Sequence, residues 1–302
     1  MTCAMQPLPG RKAGVFSVMD IQTFVDPIRI RRAVLGFSGW PDAGKTIQHA
    51  FGELNTVLQC HSAAAWDLDG YWHTESSRPL VSVHHGRIKS LDWPTYRFSL
   101  CTPRQSEPIL LGMGPEPSIH WRPFARKFLK ILEGWGCREI LLLGSVYDDI
   151  FHDEVLLTGV VQDAEGYNLV RDLGCSQIEY SGPGAIHAVI MEMAADLQMK
   201  AYSIWSHFPS YLNASHELLI ARILRMMGDF LKLEFKTDHL LRSWKKREKE
   251  IEELIENDEE VRQVLDSIRQ ADTLQAPVHT PATVIQLDEF IRRRQERLLK
   301  KE

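Results

Sequence analysis

Short apolar segments that alternate with amphipathic segments are the feature that most limits the folds open to this chain. The apolar residues of the amphipathic segments recur at spacings of three and four, which is typical of helices. The helical patterns cover Phe124–Leu132, Ala185–Leu197 and Glu217–Leu233. The strand-like runs are Ala33–Phe37, Ala63–Leu68, Pro108–Met113, Glu139–Val146 and Ala201–Trp205. This order predicts an α/β protein, a three-layer α/β/α sandwich with a mostly parallel sheet.

One further segment has the pattern of a β-hairpin. Residues Pro79–Ile88 alternate between apolar and polar side chains on both sides of His84-His85-Gly86. Because glycine adopts the positive φ angles that tight hairpin turns require, the turn is expected at these three residues. The hairpin is predicted to be an antiparallel addition to the sheet.

The density of charged residues divides the chain. The part that follows Lys236 is roughly twice as rich in charged residues as the part before it, yet it is nearly neutral. The expected organisation is an N-terminal tail at 1–28, an α/β domain at 29–236, a helical arm at 237–272, and a linker with a terminal basic helix at 273–302. Charged segments of this kind are typical of solvated helices.

An apolar stripe runs along the expected arm. The stripe consists of Trp244, Ile251, Leu254, Val261, Leu265 and Ile268. Large apolar side chains do not stay exposed on a lone helix, because burial of each one stabilises by about 1.5–3 kcal/mol. The arm is therefore predicted to pack on the α/β domain or on another subunit.

The composition excludes several classes of protein. Hydrophobic residues make up 44% of the chain and charged residues 25%, which excludes a disordered, collagen-like or disulfide-scaffold protein. With a net charge of −5, the chain has no overall basic field, so neither a nucleic acid nor a membrane surface is expected as a partner. Neither a signal peptide nor a membrane span is recognisable, and the expected location is the cytoplasm.

The five cysteines are scattered and contain no C-x-x-C pair. They are expected to be small buried side chains with one free thiol in the N-terminal tail. No metal site is expected, and no cofactor is implied.

Residues Gly39–Thr46 fit the phosphate-loop pattern G-x-x-x-x-G-K-[ST] after a predicted strand. Pro41 removes one N–H donor from such a loop, and the carboxylate of Asp42 would repel a phosphate by about 4 kcal/mol at ~4 Å and an effective dielectric of 20. The alternative is a strand–turn–helix junction, in which Asp42 lies at the helix N-terminus and Gly44 permits close packing.

The segment Gly36–Gly44, Gly-Phe-Ser-Gly-Trp-Pro-Asp-Ala-Gly, resembles the opening motif of the proteasome assembly chaperone 2 family, and the chain is similar to its bacterial branch. Further similar stretches follow in the family's order and extend the resemblance over roughly 29–270. They are Arg78–Leu80, Gly114–Pro117 with Trp121, Leu143–Gly144 with Asp148, Thr158–Gly159, Tyr180–Pro183, and Ser203–Pro209 before Tyr211.

The resemblance implies a fold like that of purine nucleoside phosphorylases and a role as an assembly chaperone. It also implies a protein partner and a homo-oligomer. Archaeal members that engage the proteasome end in a hydrophobic-Tyr-x tail, whereas this sequence ends Leu298-Leu-Lys-Lys-Glu302. Residues Ser181–Ile186 read Ser-Gly-Pro-Gly-Ala-Ile, where the family usually has Glu-Gly-Pro-Thr-Gly-Ile.

Polar residues follow several of the predicted strands, at the edge where open α/β sheets bind ligands. The expected ligand-binding residues are Trp40, Asp42, Gly44, Glu116, Ser145, Asp148 and His207. If their carboxylates converge, mutual repulsion would raise the pKa of at least one of them. The leading function is a binding or assembly protein. The alternatives are a hydrolase or phosphorylase-like enzyme acting on a small anionic or nucleoside-like molecule in this crevice, and nucleotide binding at Gly39–Thr46.

Overall fold

The structure is a computed structural model that describes residues 21–23, 29–74, 78–103, 106–212, 214–257, 259, 262, 263 and 265. The N-terminal tail, apart from 21–23, and the expected terminal helix lie outside these residues.

Strands and helices alternate along the described chain, as the periodicity predicts. The strands are β1 Ile21–Thr23, β2 Arg32–Ser38, β3 His61–Asp67, β4 Leu80–His84, β5 Arg87–Asp92, β6 Thr95–Cys101, β7 Ile109–Pro115, β8 Glu139–Asp148, β9 Leu157–Val160, β10 Ser176–Gln177 and β11 Lys200–Pro209. The helices are α1 Thr46–Leu58, α2 Trp121–Gly134, α3 Ala164–Asp172, α4 Ile186–Asp196, α5 Glu217–Leu231 and α6 Asp238–Asn257.

Nine of these strands form one mixed sheet in the order β1-β3-β6-β7-β2-β8-β11-β9-β10. The centre, β7-β2-β8-β11, is parallel, and β6 and β9 pair antiparallel to its two sides. The carboxyl ends of the four central strands therefore lie at one edge of the sheet.

Helices cover both faces of the sheet. Along β2, Ala33, Leu35 and Phe37 enter the core with α2 and α4, whereas Val34 enters the core with α1 and α5. This alternation is the two-residue period of a strand with both faces buried. The three-layer α/β fold is the predicted one.

Helix α6 packs on α5 and adds to the outside of the α1–α5 layer. Trp244 and Ile251 are buried there, and the Trp244 ring stacks on His216 with 4.3 Å between ring centroids. Arg247 donates two hydrogen bonds to the carboxylate of Glu217. Leu265 of the stripe is also buried, while Val261 and Ile268 lie outside the described residues.

Strands β4 and β5 form a hairpin whose turn is at His85-Gly86, where both residues have positive φ. The turn is the predicted one, but the hairpin is a separate two-stranded sheet. The prediction that it adds to the main sheet was therefore wrong. The antiparallel neighbours of the parallel centre are β6 and β9.

Two cysteines contradict the expectation of free thiols. Cys60 and Cys101 form a disulfide with their Cα atoms 4.2 Å apart. The antiparallel pairing of β3 with β6 places His61 opposite Leu100. Cys60, which precedes His61, therefore lies opposite Cys101, which follows Leu100. Cys137 and Cys175 are free and buried. The pairing depends on strand register, which the spacing of cysteines along the chain does not reveal.

Among the residues that the structure describes, no helix is both long enough and apolar enough to cross a membrane.

Candidate functional site

The loop after β2 carries the Gly39–Thr46 segment, and the side chain of Asp42 lies at the start of α1. The carboxylate accepts hydrogen bonds from the Ile47 N–H at 2.7 Å and from the Gln48 side chain at 2.8 Å. A helix N-terminus attracts an anion because its first N–H groups are unpaired. Here the protein's own carboxylate occupies that position.

Other amides of the same loop are also engaged. The Gly44 N–H donates to the Tyr147 hydroxyl at 3.3 Å, and the Lys45 N–H donates to the Asp42 carbonyl at 3.1 Å. A phosphate cradle needs several such amides free and directed at the ligand. The geometry is that of a strand–turn–helix junction, with Asp42 in the place of a bound anion.

Ser145 lies beside this junction. Its N–H donates to the Pro41 carbonyl at 2.8 Å, and Ser145 forms an isolated β-bridge with Asp42. The Ser145 hydroxyl is fully buried and has no hydrogen-bond partner among the described residues. The backbone of Ser145 thus fixes the loop, while its hydroxyl does not contribute a hydrogen bond.

A chain of three polar side chains joins β8, β11 and β9. His207 Nδ1 lies 2.7 Å from Asp148 Oδ2, and His207 Nε2 lies 2.9 Å from the Thr158 hydroxyl. A carboxylate only accepts, so Nδ1 donates to Asp148, and in the neutral ring Nε2 accepts from Thr158.

An imidazole oriented by a carboxylate and bonded to a hydroxyl is the arrangement that activates nucleophiles. Thr158, however, is only 3% exposed and His207 only 5%. In this conformation the three hydrogen-bonded side chains link strands β8, β11 and β9.

A second buried histidine lies on the same face of the sheet. His187 of α4 contacts the Ser203 hydroxyl through Nδ1 at 2.9 Å and packs on Trp205. Burial lowers the pKa of His187 to about 3, so the ring is neutral near neutral pH. The Trp40 ring contacts the Trp205 ring edge to face, with 6.3 Å between ring centroids, and Trp40 is 57% exposed.

Glu116 follows β7 and caps α4. Its side chain accepts the Ile186 N–H at 2.8 Å, and its own N–H donates to the Ser38 carbonyl at 3.0 Å. A carboxylate at a helix N-terminus satisfies an unpaired amide and interacts favourably with the helix dipole. Glu116 therefore joins the ends of β2 and β7 to α4.

The expected site residues all lie at the carboxyl edge of the sheet, but they form two groups on opposite faces. Strand alternation directs Ser145 and Phe208 toward α1 and α5, and directs Asp148 and His207 toward α4. Asp42 contacts α1, as described above. Burial, and not repulsion between carboxylates, is the main cause that raises the pKa of Asp42 and of Glu116.

Sequence reasoning missed Thr158, Ser203 and Tyr147 as partners in these contacts. Thr158 and Ser203 belong to stretches that resemble the chaperone family, which was the available signal. His187 of α4 is also buried, at 2% exposure. Among the described residues, no group of three or more His, Cys, Asp or Glu side chains is placed to hold a metal ion.

The β4–β5 hairpin carries a different kind of surface. Its register places Val81, Val83, Ile88 and Leu91 on one face and Ser82 and Ser90 on the other. The four apolar side chains are 55%, 57%, 71% and 45% exposed. Isolated exposed apolar residues are ordinary, but a continuous apolar face marks an interaction surface.

Comparison with known proteins identifies the family. The chain matches the PAC2 family over residues 36–255, well over half of its length. The chain belongs to the PAC2 family. The resemblance to proteasome assembly chaperones that the motifs predict is thereby confirmed, and family membership supports a chaperone-like role for this PAC2 protein.

Solved structures share the fold. A proteasome-assembly chaperone homologue from Mycobacterium tuberculosis is 27% identical, with a TM-score of 0.70 over 78% of this chain and 99% of that one. A PAC2 family protein from Streptomyces avermitilis is 24% identical, with a TM-score of 0.66 over 78% and 99%. PbaB of Pyrococcus furiosus, an archaeal proteasome activator, is 15% identical, with a TM-score of 0.61 over 78% and 97%.

A comparison with curated protein sequences found no match to this chain. The α/β fold of this PAC2 protein is confirmed, and its likeness to purine nucleoside phosphorylases stays a prediction.

Proposed function

We propose that this PAC2 protein is a binding or assembly factor that acts through protein–protein contacts, and that the β4–β5 hairpin is its docking element. The observation that carries the proposal is the exposed apolar face of Val81, Val83, Ile88 and Leu91. The polar residues at the strand ends bond mainly to the protein's own loops and helices, whereas this face is open to a partner.

The hairpin has the features of an element that is completed by binding. A two-stranded sheet is only marginally stable in water by itself. Its outer edges also carry N–H and C=O groups that can pair with an added strand. The expected occupant is an extended, apolar segment of a partner protein, whose alternate side chains would cover the four apolar residues.

Proteasome subunits are the first partners to test. The Mycobacterium tuberculosis neighbour is described as a proteasome-assembly chaperone homologue, and PbaB as a proteasome activator. The family membership thus supports a proteasome subunit as the partner, and the exposed hairpin supports strand addition as the mode of contact.

The test compares two double variants of the full chain. Val83→Lys with Ile88→Lys introduces charge on the face of four apolar side chains, and Ser82→Lys with Ser90→Lys introduces the same charge on the opposite face, where Leu80 lies among polar residues. In both variants the two lysines lie opposite each other across the strands. The control therefore matches the charge, the exposure and the cross-strand repulsion of the test variant.

Tagged proteins are used to capture partners from the source cells, and each candidate is then purified and titrated. The proposal expects a purified partner that binds the wild type and the serine variant alike and the Val83/Ile88 variant at least about tenfold more weakly. If the partner binds the wild type and both variants with equal affinity, the hairpin is not the docking element. If no captured candidate binds the wild type after purification, the proposed function is wrong.

The enzyme alternative depends on the Asp148–His207–Thr158 chain, whose hydroxyl is buried as described. It has less support than protein binding, because the conformation offers a substrate little access to that hydroxyl.

The cytoplasmic location stays a prediction. The Cys60–Cys101 bridge weighs against it, because disulfides are rare in reducing compartments.

A further inference from the structure

A second surface lies on helix α2 and is basic. Residues 122–130 contain four basic residues and no acidic one. Arg122, Arg126 and Lys130 are exposed, and none of them forms an ion pair with another described residue. In a chain of net charge −5, a face of this sign is a local exception.

The same helix face contains a groove. Its volume is about 330 Å³, and its lining combines Pro123 and Ile131 with Arg126, Lys127 and Lys130. Long basic side chains bury their aliphatic stems along apolar surfaces and keep their charges at the rim. Such a groove fits an acidic segment that also brings some apolar surface.

The sequence becomes acidic within the last two turns of α6 and stays acidic just beyond the helix. Residues 250–260 include seven acidic residues and no basic one. Glu250, Glu253 and Glu256 are exposed, and their carboxylates make no ion pair among the residues that the structure covers. The two terminal segments of the sequence are unsuitable occupants of the α2 groove, because 1–12 has two basic residues and no acidic one, and 291–302 has six basic residues against two acidic ones.

The two complementary surfaces cannot meet within one molecule. Helix α2 packs on the core that contains Leu35 and Phe37, whereas α6 packs on α5 at the opposite face of the sheet. Contact between them therefore requires two molecules.

We infer that a second copy of this chain docks the acidic end of its α6 helix on the α2 groove. The contact joins different surfaces of the two copies, so repetition of it closes a ring or extends a filament. The inference concerns a surface other than the hairpin and does not rest on the proposed docking element. Exposed ion pairs are weak singly and are screened by salt, so the assembly depends on several pairs acting together.

The experiment measures the mass of full-length protein by light scattering at several concentrations and salt levels. Arg126→Glu with Lys130→Glu reverses the groove, and Glu253→Lys with Glu256→Lys reverses the acidic segment. A fourth protein carries all four changes. The matched control, Lys236→Glu with Arg242→Glu, makes the same charge change at exposed positions away from α2.

The inference expects a wild-type mass that is a multiple of 34.6 kDa and that falls as salt is raised from about 0.05 to about 0.5 M. Each reversal should raise the dissociation constant by at least about tenfold, the fourfold variant should restore assembly, and the control should match the wild type. Circular dichroism is recorded for each variant to check that it is folded.

Several results would overturn the inference. They are a monomeric wild type, reversals that leave the mass unchanged, or a fourfold variant that stays dissociated. Binding of a fluorescent single-stranded oligonucleotide to a monomeric wild type, lost in the Arg126/Lys130 variant, would instead assign the groove to nucleic acid. None of these results affects the hairpin experiment, which measures binding of a different protein to a different surface.

Discussion

At the scale of single residues, Gly44 shows why the Gly39–Thr46 segment has its sequence. Gly44 has a φ of +61°, and a Cβ atom there would lie 2.3 Å from the Phe208 ring. The left-handed conformation costs a residue with a side chain about 1–2 kcal/mol, and overpacking adds about 1–3 kcal/mol. Gly44→Ala should therefore lower the free energy of unfolding by about 3 kcal/mol, measured by chemical denaturation.

Gly52 of α1 supplies the matched control for this substitution. It is helical, and nothing lies within 4 Å of the position of its Cβ. Because alanine has the higher helix propensity, Gly52→Ala should be neutral or stabilising by up to about 1 kcal/mol. Equal effects of the two substitutions would show that the contact between Gly44 and Phe208 does not restrict this loop.

At the scale of elements, Trp244 is the largest side chain that α6 buries against the α/β core. Trp244 is 3% exposed and stacks on His216 at the start of α5. Truncation of a buried tryptophan to alanine removes apolar contacts and leaves a cavity, which costs about 3–5 kcal/mol. Trp244→Ala should lower the free energy of unfolding by about that amount, measured as the shift of the denaturation midpoint.

Lys245 is the neighbouring exposed residue of the same helix, and Lys245→Ala should change stability by less than about 0.5 kcal/mol. If both variants unfold at the wild-type midpoint, α6 contributes nothing to the cooperative unit. Circular dichroism and tryptophan fluorescence should be recorded together, because separate transitions would show that α6 unfolds on its own.

At the scale of the whole molecule, buried neutral histidines make stability depend on pH. Burial lowers the pKa of His187 to about 3 and that of His216 to about 4. Below a pH of about 6.5 the unfolded chain protonates these rings, while the folded protein does not until the pH approaches the lowered values. The free energy of unfolding therefore loses about 1.4 kcal/mol per pH unit per histidine as the pH falls through this window.

Other groups titrate in the same range, and the raised pKa values of Asp42 and Glu116 act in the opposite direction. The effect of His187 is isolated by comparison with His187→Asn, which is less stable at pH 7 because it leaves space in the core. The stability advantage of the wild type should shrink by about 2–3 kcal/mol between pH 7 and pH 4.5. His49→Asn, at an exposed position of α1, serves as the control. An advantage that does not change with pH would contradict a neutral buried His187.

Much of the fold could be predicted because it is periodic in the sequence. The apolar runs at Ala33–Phe37 and Glu139–Val146 are strands, and the pattern at Glu217–Leu233 is a helix. Strand β6 was missed because polar residues interrupt it, and the two-residue β10 is too short to show a pattern. The turn at His85-Gly86 was found because glycine and its neighbour mark it locally.

The candidate site was predictable only as a set of positions. The sequence places Asp42, Glu116 and Asp148 after strands, and strand ends of a parallel sheet share an edge. Whether their side chains converge depends on the strand order, on the face of the sheet and on which amides each carboxylate meets. In the folded chain Asp42 caps α1 and Glu116 caps α4, so neither carboxylate is left unpaired.

The sequence by itself determined the class of fold, the strands and helices with strong periodicity, and, through its motifs, the family. These properties depend on local spacing and on short segments of fixed order. Only the tertiary structure decided the Cys60–Cys101 bridge, the Thr158–His207–Asp148 contacts and the exposure of the β4–β5 apolar face. Each of these features depends on which distant segments become neighbours in the fold. Strand order and strand register decide that, and they are fixed only when both faces of the sheet are buried at the same time.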